Sequence, residues 1–224
     1  MRRISPVYPM RKQLLAILPG LALALLATSH EARAQTDPAS LPAHDVHQGL
    51  LVAVDPYIPA DRYKSKFGKH TPFEAGVVAL EVYFRNDTAA PLKIDLDAIR
   101  LLISAPGDPK QKLEPLAPDY VADLVLLKGK VNPRPNRLPL PLPGGAVKSG
   151  KGKDWDEFAG ELRSMALSSD VLAPNSSSHG FLYFDIDRKY EWLAGARLQL
   201  PDVTSMLDHK ALLFFEVDLG PAKP

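Results

Sequence analysis

The chain has 224 residues, 46% apolar, 24% charged and 8% aromatic, and its 27 Lys and Arg against 26 Asp and Glu leave a net charge of +1. That balance argues against a disordered chain and, by charge, against a nucleic-acid binder. Zero cysteines exclude disulfides, Cys-ligated zinc, iron–sulfur clusters, thiol catalysis and a lipid-modified N-terminal cysteine.

Arg11 and Lys12 precede an apolar run from Leu14 to Ala27, interrupted at Pro19-Gly20 and followed by Ala32-Arg33-Ala34. A positive start, a short apolar middle and an Ala-x-Ala end predict an export signal over residues 1–34. The run falls short of the ~20 residues a membrane span needs, so an anchor is the weaker reading. Removing five basic residues and Glu31 leaves 22 basic against 25 acidic groups, a net −3. The mature chain is expected to be soluble and exported, periplasmic or extracellular.

Residues 35–48 read as a flexible leader, and 49–224 as a single domain. The 22 prolines, about twice the ~5% average usage, favour a loop-rich or β-rich architecture. Gly49–Val54 predicts a first strand, closed by Asp55-Pro56. Residues 56–73 read as a loop with at most one helical turn. Ala75–Arg85 is the clearest strand: Val78, Leu80, Val82 and Phe84 share one face, and Val77, Ala79, Glu81, Tyr83 and Arg85 the other. Asn86-Asp87-Thr88 supplies turn chemistry, and strands are expected at Leu92–Leu96 and Ile99–Ser104.

Residues 106–170 show no strand pattern and are expected to form a helical, Pro- and Gly-rich insertion. One helix starts at Pro118 and ends near Lys128-Gly129. A second runs from Asp154, a candidate cap with Glu157 in the capping-box position, to about Leu167. Its stripe of Trp155, Phe158, Leu162 and Met165 reads as a packing face. Strands return at His179–Asp187, Ala196–Leu200 and Ala211–Leu219. Leu212 and Phe214 on the second face of the last one suggest cover by the helix stripe. Tyr57, Tyr63, Phe67, Phe73, Tyr190 and Trp192 fall outside any strand pattern; most are expected to close the ends of the fold, and the alternative for some is a carbohydrate- or protein-binding surface.

About seven strands joined by turns, without strand–helix alternation, predict a mainly β, antiparallel β-sandwich. Val82-Tyr83-Phe84-Arg85-Asn86-Asp87, leading through Pro91-Leu92-Lys93-Ile94 to Ile99-Arg100-Leu101-Leu102, resembles immunoglobulin-like domains of bacterial exported proteins of unknown function. Leu172-Ala173-Pro174 leading to Gly180–Asp185 shares that resemblance. It implies an immunoglobulin-like sandwich and a scaffold or interaction role. No catalytic residue carries over.

The first candidate binding set is basic. Lys128, Lys130, Arg134, Arg137, Lys148, Lys151 and Lys153 lie within 128–153 with no acid among them, and taking those seven from −3 leaves −10 on the rest of the mature chain. Such separation suits an anionic envelope partner, protein or glycan, while the plain alternative is a solvated loop. Gly145–Lys151 matches the Gly-x4-Gly-Lys core of a phosphate loop. However, Gly152 replaces the required Ser or Thr, and a Leu-Pro repeat precedes it where a buried strand belongs.

His44 and His47, with His70 or His179, are the candidate metal ligands, but they sit in the supposed leader, so no metal or other cofactor is expected. Asp185 and Asp187, about 7 Å apart along a strand, are the candidate carboxylate pair for an envelope hydrolase or carbohydrate-active enzyme. Ser178 and His179 point apart as strand neighbours. The expectation is a non-enzymatic binding or scaffold module of the cell envelope.

Overall fold

The computed structural model describes residues 37–58, 60–104, 110–127 and 151–220. The predicted signal at 1–34 lies outside them. In chain order the strands are β1 (His44–His47), β2 (Leu50–Pro56), β3 (Val77–Asn86), β4 (Leu92–Ile94), β5 (Arg100–Ile103) and β6 (Gln111–Leu113). There follow β7 (Val171–Leu172), β8 (Ser176–Asp185), β9 (Arg197–Leu200), β10 (Val203–Ser205) and β11 (Phe215–Asp218). Three α-helices intervene: α1 (Ala60–Phe67), α2 (Pro118–Leu126) and α3 (Lys153–Met165).

The protein is mainly β, and its strand pairs are antiparallel. One sheet has the order β1-β2-β3-β8, a second β10-β4-β7 and a third β11-β9-β5-β6. Among the described residues the first holds the longest ladder, because β3 and β8 pair along ten residues, from Val77↔Asp185 to Asn86↔Ser176.

Period two decides what each face meets. Val78, Leu80, Val82 and Phe84 of β3, with Leu182 and Phe184 of β8, join Val52, Leu101, Leu198 and Phe215 in one buried core enclosed by the three sheets. The opposite face gives Val77, Ala79, Phe181 and Tyr183 to a second core, closed by Tyr63 and Phe67 of α1, Val121 and Ala122 of α2, and Trp155, Phe158 and Leu162 of α3. The stripe read from the α3 sequence is therefore a packing face, against β3 and β8. Burying each large side chain stabilises by about 1.5–3 kcal/mol. That exceeds the ~1 kcal/mol of a missing cap, and α3 does begin without one: Gly152 is its N-cap, and Asp154 lies within the first turn.

Other expectations change at the edges. The supposed leader contains β1, because Gln48 and Gly49 at φ 49° and 76° turn it back onto β2, with His44 opposite Ala53. Residues 60–67 form a helix rather than a loop, and β6 runs within the segment that showed no strand pattern. The last strand is confined to Phe215–Asp218, so Leu213 and Phe214 are exposed and α3 covers a different sheet. Tyr57, Tyr63 and Phe67 lie in the second core instead of closing the ends of the fold, while Tyr190 and Trp192 pack on the first. Phe73 stacks on Tyr190 with ring centroids 4.2 Å apart. Among the described residues no helix is long and apolar enough to cross a membrane.

Candidate functional site

Lys128, Lys130, Arg134, Arg137 and Lys148 of the basic set lie outside the described residues. Lys151 is placed: its Nζ lies 2.5 Å from Asp123 Oδ1 and 4.6 Å from the Trp155 ring centroid. Lys153 pairs with Glu157 at 3.3 Å, one helical turn on. Both cations therefore neutralise carboxylates of α2 and α3 that the linear run of basic residues did not reveal.

The histidines have separate surroundings. His44 Nδ1 lies 2.6 Å from the Leu41 carbonyl. His47 stacks on Phe215 at 3.8 Å and faces Asp45 at 3.2 Å. His70 packs against Phe158, and His179 against Tyr83. Among the described residues no group of three His, Asp or Glu is placed to hold a metal ion. Asp185 ends β8, and its Oδ1 accepts the backbone N–H of Asp187, which sits in a turn at φ 51°. The predicted strand run through Asp187 stops two residues earlier.

A groove of about 560 Å³ runs between α1 with its following loop and α3. Two local patterns build it. Tyr63 and Phe67, four residues apart, turn one side of α1 inward, which leaves Lys66 and then Lys69 and His70 at the groove. On α3 the buried stripe of Trp155, Phe158 and Leu162 puts Asp154, Glu157 and Glu161 on the adjacent side at spacings of three and four. One wall is thus basic and the other acidic, with Phe67, Phe158 and Met165 between them. Glu157 is engaged by Lys153, whereas Lys69, Asp154 and Glu161 form no ion pair among the described residues.

Lys66 connects the groove to a polar cluster on the outer face of β3. Its Nζ is 4.0 Å from Glu81 Oε1 and 5.2 Å from the Phe181 ring centroid. Glu81 is 7% exposed and accepts the Tyr57 hydroxyl at 3.1 Å. Burial first, then the Glu81 charge and hydrogen bond, push the Tyr57 hydroxyl up to about 12. The Tyr83 hydroxyl is raised by burial and then by the same carboxylate. Arg62 donates twice to Asp55, at 2.9 and 2.6 Å, and its guanidinium lies 4.1 Å above the Tyr57 ring. The hydrogen bond to Asp55 raises the Arg62 pKa above its ordinary value.

Sequence reasoning missed this groove because it missed α1. The signal was present: aromatics at 63 and 67, Pro59 before them and Gly68 after.

No family model and no curated protein matches this chain. Among solved structures, a functionally unknown protein from Listeria monocytogenes is 10% identical with a TM-score of 0.31, over 70% of this chain and 67% of its own. A candidate lipoprotein from Bacillus subtilis is 16% identical with a TM-score of 0.34, over 78% of this chain and 38% of its own. Likenesses this slight carry neither fold nor function to this protein.

Proposed function

We propose that this chain is an exported, non-enzymatic binding module of the bacterial cell envelope, an immunoglobulin-like sandwich whose added helices form the binding face. The observation that carries the reading is the α1–α3 groove, where Lys69 faces a wall holding Asp154 and Glu161 and none of the three has an ion-pair partner among the described residues. Charges of both signs facing a concave surface are what recognition of a polar ligand requires. The signal pattern over residues 1–34 supports export, and three antiparallel sheets around one core support the sandwich. The basic residues Lys128, Lys130, Arg134, Arg137 and Lys148 supply a second, salt-sensitive contact with an anionic envelope surface.

Expression of the full chain with fractionation, followed by capture of envelope components on the purified protein, tests this. Ser164 is exposed and lines the groove, so Ser164→Trp fills the groove without entering the core. The expected result is a processed chain in the exported fraction and capture that Ser164→Trp abolishes. Retention of the unprocessed chain in the cytoplasm overturns the export reading. Capture that ignores Ser164→Trp but vanishes when the five basic residues are neutralised overturns the groove as the binding face.

A further inference from the structure

Resting on the groove as the binding face, we infer that its ligand is a short zwitterionic peptide with a free ammonium and a free carboxylate. A wholly anionic ligand would lie against Asp154 and Glu161, and a wholly cationic one against Lys66 and Lys69. Like charges brought together in this way repel. A ligand bearing one group of each sign satisfies both walls. Its ammonium sits along the Asp154–Glu161 row, where Glu157 is already shared with Lys153. Its carboxylate sits at Lys69 and His70, with Lys66 beside them because the 4.0 Å contact with Glu81 leaves that ammonium loosely held.

Dimensions set the size of the ligand. A volume of about 560 Å³ falls inside the usual ~300–1,000 Å³ of small-ligand sites. Met165, half-buried beside the core rings of Phe67 and Phe158, offers apolar contact to a small aliphatic side chain between the termini. Alanine is the simplest such residue, so tri-alanine is the probe.

Calorimetry of the mature protein with tri-alanine, N-acetyl-tri-alanine and tri-alanine amide tests the inference. Blocking either terminus is expected to weaken binding about tenfold, the equivalent of about 1.4 kcal/mol. Glu161→Gln should shrink the penalty for acetylation and leave that for amidation; Lys69→Met should do the reverse. Both residues are exposed, so the variants are expected to keep the wild-type circular dichroism spectrum. Equal binding of all three peptides, or no binding of tri-alanine at millimolar concentration, overturns the inference. If envelope capture still needs an open groove in that case, the ligand class is wrong and the binding face stands. If capture also ignores Ser164→Trp, both fall.

Discussion

Asn86 shows how much one side chain can organise. It is fully buried at the end of β3, and its amide donates to the carbonyls of Ala90 at 2.8 Å, Leu172 at 3.3 Å and Ala173 at 3.0 Å. Its Oδ1 accepts from the Thr88 N–H and hydroxyl at 2.9 and 2.7 Å. The turn into β4 and the approach to β8 are thereby tied to one residue. Asn86→Ala strands these groups away from water and is expected to cost about 3 kcal/mol in urea unfolding, since each unsatisfied buried group costs about 1–3. A loss below about 1 kcal/mol would show that water replaces the amide. Gly180 is fixed by space instead: a Cβ there would meet the Leu167 backbone at 2.6 Å. Those are rigid atoms, because the Leu167 N–H donates to the Phe181 carbonyl. Gly180→Ala is expected to destabilise by about 1–3 kcal/mol through overpacking, and a neutral result would mean that the segment after α3 yields easily.

Among the elements, legibility followed local pattern. The two faces of β3 and the inward stripe of α3 were plain, because each is a repeat that burial on one side enforces. β1 was not, since His44-Asp45-Val46-His47 has no apolar alternation and owes its state to the turn at Gln48-Gly49 and to pairing with β2. Glu81 read as one residue of the strand face it shares with Val77, Ala79, Tyr83 and Arg85. Its burial depends on Tyr57, Lys66 and Phe181, distant along the chain, and no spacing within β3 reveals them. That burial has a measurable result. Tyr57 loses its proton near 12 in the folded state and near 10 when unfolded. Folding therefore favours the protonated phenol: its contribution is whole below pH 10 and is lost as pH rises through 12. In Glu81→Gln the spectrophotometric midpoint of Tyr57 should fall but stay above 10, because burial is the larger cause. No change would remove Glu81 from the account. Between the helices, Asp123 Oδ1 accepts the Trp155 indole at 2.8 Å, whereas Arg163 and Asp119 pair at 2.6 Å with both side chains partly in water. Asp123→Ala should cost about 1–3 kcal/mol and Asp119→Ala less than about 1. Equal thermal-melt shifts would contradict that ranking.

At the scale of the whole molecule, two cores share one sheet. β3 and β8 give Leu80 and Leu182 to the core enclosed by the sheets, and Ala79 and Phe181 to the one under the helices. Neither core can dissolve without exposing the back of the strands that line the other, and ten paired residues hold those strands together. The helical layer therefore cannot behave as an independent cap on a separately stable β body. Leu80→Ala, on the inner face, should destabilise by about 2–5 kcal/mol, and Phe181→Ala, on the outer face, by about 3–5. Each variant should still unfold in a single transition, with fluorescence and far-ultraviolet circular dichroism coincident and the wild-type denaturant slope retained. Trp155 reports on the outer core and Trp192 packs on the inner one, so replacing either by Phe isolates one signal. If Phe181→Ala releases the Trp155 signal at lower urea while Trp192 and the β-sheet signal persist, the layers are separable. In a single transition, the slowest-exchanging amides should lie in the β3–β8 ladder, the one element common to both cores.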